Sequence, residues 1–480
     1  METAGLRDFL RMPYDRLEEL NLAAKQERLD RRPIHEVREE RIRCLADEKR
    51  IKAVTVCFTD LEGCLHMLDY DKKFLLNSPD NLTFDGSSIR GFTAQQESDL
   101  RLDVDWPAFY WLPADIFGPG KVLVFAQVLD QDGSLYPADF RGRLKSYCQD
   151  LYVSQGITCN VANEIEGFLF EGLNAEQHYH ETGSFEFIST GGYYNSLPGS
   201  LLRKFIDTAA EAQRAMGFNN EKDHPEVAPS QFEMNYAPCE AVVACDQVQL
   251  YKLLCRQVAQ SMGLTASFLP KPKTGVNGTG MHANLSLLHK DGVNLFSDPK
   301  GEAGISARAW DFIDRVLTSA QEICLILNSS VNAYRRLDPR FEAPNQINAS
   351  PNNRSGMIRI PLGNARSARL EFRSIAPDAN AYLATYALLR TGLEGPKSEE
   401  PEEQKRSRTR FLPDNIYDAI RLFKSSQFMA EILGEHTHKR FWQLKHASAE
   451  RCPAALGTHI KRAEIQYHHE VTNQYIWGLF

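Results

Sequence analysis

Asn163-Glu164-Ile165-Glu166-Gly167-Phe168-Leu169-Phe170 is the stretch from which the rest of the chain can be read. Its isoleucine and phenylalanines favour a strand, in which successive side chains leave opposite faces and each residue rises about 3.3 Å. Glu164 and Glu166 therefore share a face, roughly 6–7 Å apart. Carboxylates held that close repel one another unless cations sit between or beside them. A solvated strand face gives the same pattern, so the pair gains meaning only from residues that join it. Glu226 and Glu233 bracket Val-Ala-Pro-Ser-Gln-Phe, and Arg369-Leu370-Glu371-Phe372-Arg373 puts cation, anion and cation on one face with Leu370 and Phe372 on the other. Asn277-Gly-Thr-Gly-Met-His282 is a glycine-rich turn that delivers one imidazole ahead of the apolar run Ala283-Asn-Leu-Ser-Leu-Leu. A lone histidine is ordinarily a core or surface residue. Beside glutamate oxygens, one imidazole suits Mg²⁺ or Mn²⁺ better than zinc or copper. Arg336, Arg354, Arg359, Arg369 and Arg373 crowd into one short region, a density of guanidinium groups that serves carboxylate or phosphate.

The remaining sequence bounds the answer. With 480 residues, 42% of them hydrophobic, the chain can bury one large core or two unequal ones. Its 63 acidic and 55 basic residues leave a net charge of −8, which gives no support to nucleic-acid binding. Apolar runs such as 53–58 are far shorter than the roughly 18 residues of a membrane span. The start Met1-Glu-Thr-Ala-Gly has neither the basic cluster nor the apolar run of a secretory signal, so a cytoplasmic protein is expected. Ten cysteines without a C-x-x-C pair read as reduced, mostly buried thiols rather than a zinc site.

The texture of the chain divides it into three. Residues 1–50 read as a charged helical arm, with apolar positions at helical spacing from Leu17 to Ile42, packed against the body. Residues 51–140 carry the strand-like runs Lys52-Ala-Val-Thr-Val-Cys-Phe and Val122-Leu-Val-Phe-Ala-Gln-Val-Leu between acidic and glycine-rich turns, and form a small β-rich domain. Residues 141–480 alternate strand signals with long helices, predicted at 200–217, 240–262, 304–328 and 378–393, after a first helix at 138–151. The segment from Gly395 to Arg408 is polar and charge-dense and reads as an exposed loop. G-x-x-x-x-G-K-[ST], a strand-linked G-x-G-x-x-G and H-E-x-x-H are all missing from the sequence, so an ATP site must be built differently.

Taken together, the segments are familiar. Phe84-Asp-Gly-Ser-Ser-Ile-Arg-Gly-Phe, Glu97-Ser-Asp-Leu, Asn163-Glu-Ile-Glu-Gly-Phe-Leu-Phe, Gly191-Gly-Tyr-Tyr, Glu226-Val-Ala-Pro-Ser-Gln-Phe-Glu and Phe268-Leu-Pro-Lys-Pro occur in order. They are followed by Asn277-Gly-Thr-Gly-Met-His, Asn332-Ala-Tyr-Arg-Arg-Leu-Asp-Pro-Arg-Phe-Glu-Ala-Pro, Asn353-Arg-Ser-Gly-Met-Ile-Arg-Ile-Pro and Arg369-Leu-Glu-Phe-Arg. In these stretches, spread over roughly residues 51–480, the chain resembles the glutamine synthetase family of the bacterial type I class. The resemblance implies an α+β protein, with a small N-terminal β-grasp domain and a larger C-terminal catalytic domain whose antiparallel sheet is flanked by helices. It implies a homododecamer of two stacked six-membered rings with active sites shared between neighbours. The reaction implied is ATP-dependent ligation of ammonia to glutamate.

Carried over by motif, Glu166, Glu226 and Glu233 would hold one Mg²⁺ or Mn²⁺, and Glu164, His282 and Glu371 the other. Asn277, Gly278, Arg336 and Arg373 would bind glutamate. Glu221, Ser286, Arg354, Arg359, Arg366 and Arg369 would lie along ATP or the moving phosphoryl group. Asp85 of an adjacent subunit, Tyr193, Glu226 and the flap residue Glu342 would form the ammonium pocket, with Asp85 as base. Departures from the family pattern are Phe92 for a common Trp, Asn284 for a second His, Arg366 for a Lys, Pro225 for a His, and Gly167 where Phe is common. Asn415-Ile-Tyr417-Asp-Ala faintly resembles an adenylylation segment, but its Leu-Pro-Asp context reads as a helix start. Two alternatives accompany the ligase reading: a relative that joins glutamate to a polyamine or another amine, and a non-catalytic relative, which would be expected to have broken metal ligands.

Overall fold

Ala53–Thr59 (β1) is apolar enough to be buried on both faces, and it takes an interior place in a five-stranded sheet. The other strands are Leu65–Asp71 (β2), Leu82–Asp85 (β3), Asp99–Trp111 (β4) and Val122–Leu129 (β5), in the order β2-β1-β5-β4-β3. β1 and β5 run parallel and the remaining neighbours antiparallel. The computed structural model describes residues 12–94, 98–179, 184–353, 355–400 and 409–466, with 451–466 as backbone alone.

The second sheet has nine strands built on Ile157–Glu171 (β6), whose residues alternate between buried and half-buried as far as Glu166. Its other members are Asn220–Pro225 (β7), Gln231–Tyr236 (β8), Cys239–Glu240 (β9), Leu264–Ser267 (β10), Met281–His289 (β11), Gln346–Ser350 (β12), Gly356–Arg359 (β13) and Leu370–Phe372 (β14). Their order is β12-β13-β14-β11-β6-β8-β7, with β9 and β10 also paired to β6. The pairs are antiparallel except β12 with β13 at the edge, so the sheet is mixed. The helices flanking it follow the predicted order: Phe140–Gln155, Leu201–Ala215, Ala241–Ser261 and Ala381–Glu394. The helix expected at 304–328 is two, Ala307–Thr318 and Ala320–Leu327, interrupted at Ser319. The one expected at 138–151 starts later, because the Asp139 carboxylate caps Arg141 and Gly142, and ends at left-handed Gly156. Asn415 caps the helix Ile416–Ser425, as its sequence context predicts. Residues 396–400 are half-buried or exposed, and 401–408 lie outside the described residues.

The arm forms two helices, Tyr14–Leu29 (α1) and Ile34–Asp47 (α2), and α1 packs on both β4 and the helix Leu201–Ala215. Its key contact is polar. Buried Asn21 donates to Trp111 O at 2.9 Å and Ala215 O at 2.8 Å, and accepts from Trp111 N–H at 3.0 Å. One amide thus ties the small sheet to the large domain. Asn21→Ala leaves three buried backbone groups unpaired and is expected to cost about 2–3 kcal/mol in urea unfolding.

A second tie is ionic. Arg141, fully buried, bonds Asp105 Oδ2 at 2.8 Å and both oxygens of Asp246 at 2.8 and 2.9 Å. Asp246 also accepts from the Tyr382 hydroxyl at 2.6 Å and forms an ion pair with Arg28 at 2.7 Å, and Lys145 joins Asp105 at 2.9 Å. The network links the arm, β4 and three helices. Among the described residues, nine cysteines are free and seven of these are buried, and no helix is long and apolar enough to cross a membrane.

Candidate active site

Strand register assembles the site. β11 sets His282 opposite Glu164, β8 sets Glu233 opposite Glu166, and β14 places Glu371 between Asn284 of β11 and Arg359 of β13. Because the side-chain period of a strand is two, these residues leave the same face of the sheet. Glu226 joins them from the β7–β8 connection, a tight turn in which Glu226 N–H donates to Gln231 O at 2.9 Å. All six acidic or imidazole residues line one cavity of about 310 Å³. Two positions here admit only glycine: a Cβ on Gly280 would stand 2.5 Å from His282 Nε2, and one on Gly167, on the core face of β6 behind the cavity, would stand 2.5 Å from the Phe232 ring.

Two compact groups of potential ligand atoms emerge, each with its atoms within 4.8 Å of one another: Glu164, His282 and Glu371, and His224, Glu226 and Glu233. Carboxylate oxygens with one imidazole in each group fit a Mg²⁺- or Mn²⁺-like cation. In the second group His224 stands where Glu166 was expected. Glu166 lies directly opposite Glu233, but its Oε2 accepts from Gly280 N–H at 2.8 Å and from Gln231 Nε2 at 3.4 Å.

The electrostatics ask for a cation. Burial, then Glu166, raises the Glu226 carboxyl to about 7, and the same causes push Glu233 well above the usual carboxylate range. Burial also pushes Glu164 upward, but His282 and Asn284 outweigh it and hold that carboxyl at about 2. A carboxyl raised in the folded state favours the fold below its ordinary value of 4.5 and loses that contribution as pH climbs through about 7. The cation-free protein should therefore lose thermal stability between about pH 5 and 8, and Mn²⁺ should raise the melting temperature more at pH 8 than at pH 6. Melting curves in chelator and in excess Mn²⁺ test this; a metal effect independent of pH would contradict it.

Three arginines stand beside these groups. Arg336 is buried, donates to Arg373 O at 2.9 Å and approaches His282 Nε2 at 3.4 Å. Burial draws its guanidinium down to about 10, an imbalance that an anionic ligand would offset. Arg359 bonds Glu371 Oε2 at 2.6 Å, and Arg373 Nε stands 3.6 Å from Glu371 Oε1. Asn277 donates to Glu342 Oε2 at 2.8 Å, closing one side of the mouth, and Gly278 O accepts from Gln231. Tyr193 and Tyr194 stack 3.9 Å apart with their hydroxyls bonded at 2.8 Å, and both meet the His224 ring edge-on. Each is about half exposed at the rim.

Other expected residues fall elsewhere. Asp85 ends β3, exposed and outside this cavity; the hydroxyl and N–H of Ser87 and the hydroxyl of Ser88 hold its carboxyl below the usual range. Glu221 is exposed because the β7–β8 register shifts between Asn220 and Lys222, leaving Lys222 to line the cavity. Ser286 lies on the His282 face of β11, farther along the strand. Arg366 is exposed, and Arg369 Nε donates to Asn284 Oδ1 at 3.0 Å, whose Nδ2 in turn donates to Glu164. Arg354 and Glu97 lie outside the described residues. His224 was missed although its spacing from Glu226 is the two-residue step that paired Glu164 with Glu166. Gln231 and Tyr194 carried no comparable signal.

Comparison with known proteins gives the family. The model of the glutamine synthetase catalytic domain matches residues 137–465 and that of the glutamine synthetase beta-Grasp domain residues 50–131. A glutamine synthetase of Staphylococcus aureus is 35% identical over 423 residues, covering 84% of this chain and 92% of the relative. One from Staphylococcus epidermidis is 34% identical over 421 residues, covering 83% and 92%. Among solved structures, GmaS, a gamma-glutamylmethylamide synthetase, aligns as its ADP complex with a TM-score of 0.76 at 26% identity, covering 88% of this chain and 98% of that one. GmaS without ligand aligns with a TM-score of 0.74 at 26% identity, with the same coverage. The chain belongs to the glutamine synthetase family of nucleotide-using ligases.

Proposed function

We propose that the protein joins ammonia to the γ-carboxylate of glutamate at the expense of ATP, passing through γ-glutamyl phosphate and releasing glutamine, ADP and phosphate. The observation that carries this reading is one cavity with two cation-ready groups on its sheet face and Arg336, Arg359 and Arg373 around them. A free carboxylate does not acylate an amine, because oxide would have to leave. Phosphorylation supplies a better leaving group. Glu164, His282 and Glu371 would hold one Mg²⁺ or Mn²⁺, and Glu226 and Glu233, with Glu166 and His224 beside them, the other. When bound, such ions neutralise charge on the phosphoryl oxygens.

The chain's own residues do the rest. Arg336 and Arg373, with Asn277 and Gly278, orient glutamate. Arg359 and Arg354 stabilise charge on the phosphoryl group in flight, where positioning and electrostatics supply most of the acceleration. Asn284 and Ser286 continue the His282 face of β11, and with Arg366 and Arg369 they mark the side along which ATP lies. Asp85 of a neighbouring subunit completes the ammonium pocket with Tyr193, Glu226 and Glu342. Its serine hydrogen bonds keep it anionic, which suits a cation, and it takes the proton as the amine attacks. Glu342 closes the mouth against water. A site completed by a neighbour's Asp85 needs an oligomer, and the family resemblance suggests two stacked hexamers, working in the cytoplasm.

A second reading has its own support. The similarity to GmaS and the half-exposed tyrosine pair at the rim fit a small alkylamine as acceptor. A larger polyamine would have to part the Asn277–Glu342 hydrogen bond at the mouth, and a non-catalytic relative would not be expected to retain all six ligands. ADP formation with glutamate and ammonium, methylamine or putrescine separates these readings. Ammonium should give the highest kcat/KM; a preference for methylamine or putrescine would replace the acceptor, and no turnover with any of them would overturn the ligase reading.

A further inference from the structure

Phe268-Leu-Pro-Lys271-Pro carries no task in the chemistry above, yet its lysine occupies an unusual position. Lys271 is 1% exposed and forms no salt bridge among the described residues. Its Nζ instead donates to Val276 O at 2.5 Å and stands 3.8 Å from the centre of the Phe341 ring. Its backbone is fixed on both sides by Asn332, through bonds of 2.7 and 2.9 Å. Val276 immediately precedes Asn277, and Phe341 immediately precedes Glu342. These next residues are the two that join across the mouth, Asn277 Nδ2 to Glu342 Oε2 at 2.8 Å. Glu342 itself is left-handed, with φ 61°, a conformation a glutamate holds only when its surroundings enforce it.

We propose that Lys271 is a positioning residue: its buried ammonium clamps the segments carrying Asn277 and Glu342 to each other, and the closed pair keeps water from the acyl phosphate. The shielding half rests on the reaction proposed above; the clamp does not. The charged groups facing the ammonium are Asp338 and Arg340 of the flap and Arg336 of the preceding helix. Burial lowers Lys271 to about 8, so the clamp should loosen as pH rises past that value.

The test uses the full-length chain. Hydrogen exchange over residues 338–343 should be about tenfold faster in K271M than in wild type, while K271R, which keeps the cation, should stay within about twofold. F341L, which removes the ring face, should reproduce K271M and decides the matter if K271M does not fold. In turnover, K271M and F341L should raise the ratio of ADP to amide product several-fold and release ADP from ATP and glutamate without amine. Exchange rates equal to wild type in both variants would overturn the clamp. Faster exchange with an unchanged ratio would overturn its shielding role. If wild type forms no ADP with any amine, the reaction reading fails, and the exchange measurement still judges the clamp.

Discussion

Glu371→Gln should lower amide formation by roughly 10²- to 10³-fold, the scale seen when one preorganised electrostatic group is lost from a catalytic site. Glu371 is 2% exposed and is the hub of the sheet-face constellation, meeting Arg359 at 2.6 Å, Arg373 at 3.6 Å and His282 at 4.0 Å. The amide keeps the shape but loses the charge that balances two arginines and completes one cation group. Both the phosphoryl-side arginine and the cation should therefore be misplaced, and kcat should fall together with Mn²⁺ affinity. Steady-state kinetics over a Mn²⁺ series reads both. Activity within about threefold of wild type, with unaltered Mn²⁺ dependence, would remove Glu371 from the machinery.

Asp246→Asn should destabilise the protein by about 3–5 kcal/mol, because it breaks a buried ion network from one side. Both oxygens of Asp246 are occupied by Arg141, with Arg28 and Tyr382 as further partners, and the residue is fully buried. Without its charge, Arg28 and Arg141 share only Asp105, which Lys145 also claims. Burial opposes ionisation of Asp246, but Arg141 and Arg28 outweigh it and hold the carboxyl below the usual range. The stabilising ionised form is therefore present above that ordinary range and is lost as pH falls through the depressed value. Denaturant unfolding at neutral pH tests the magnitude; a loss below about 1 kcal/mol would mean that the network contributes little net stability.

The carboxylate half of the site was legible because strand geometry is strict. Glu164, Glu166 and Glu371 sit where a two-residue period puts them, and His282 follows from a glycine turn leading into an apolar strand. Register between strands was not legible: only the sheet shows that His282 faces Glu164 and Glu233 faces Glu166. His224 escaped because Pro225 drew attention to the position beside it. Glu221 was expected along ATP, but a bulge, which periodicity cannot reveal, turns it outward. The helical arm was visible in its spacing, whereas its fastening through Asn21 and Arg28 depends on backbone groups and partners distant in the chain.

The seven buried thiols among the described residues give the molecule its own reporters. Burial raises the proton affinity of Cys57, Cys159, Cys245, Cys255 and Cys324, and only the thiolate attacks an alkylating reagent. Each modification in native buffer therefore records a transient opening at a known address: Cys57 on β1 of the small sheet, Cys159 on β6 of the large one, Cys245 and Cys255 along one helix and Cys324 on another. Following these sites separately by mass spectrometry would rank the parts of the chain by how often they come apart.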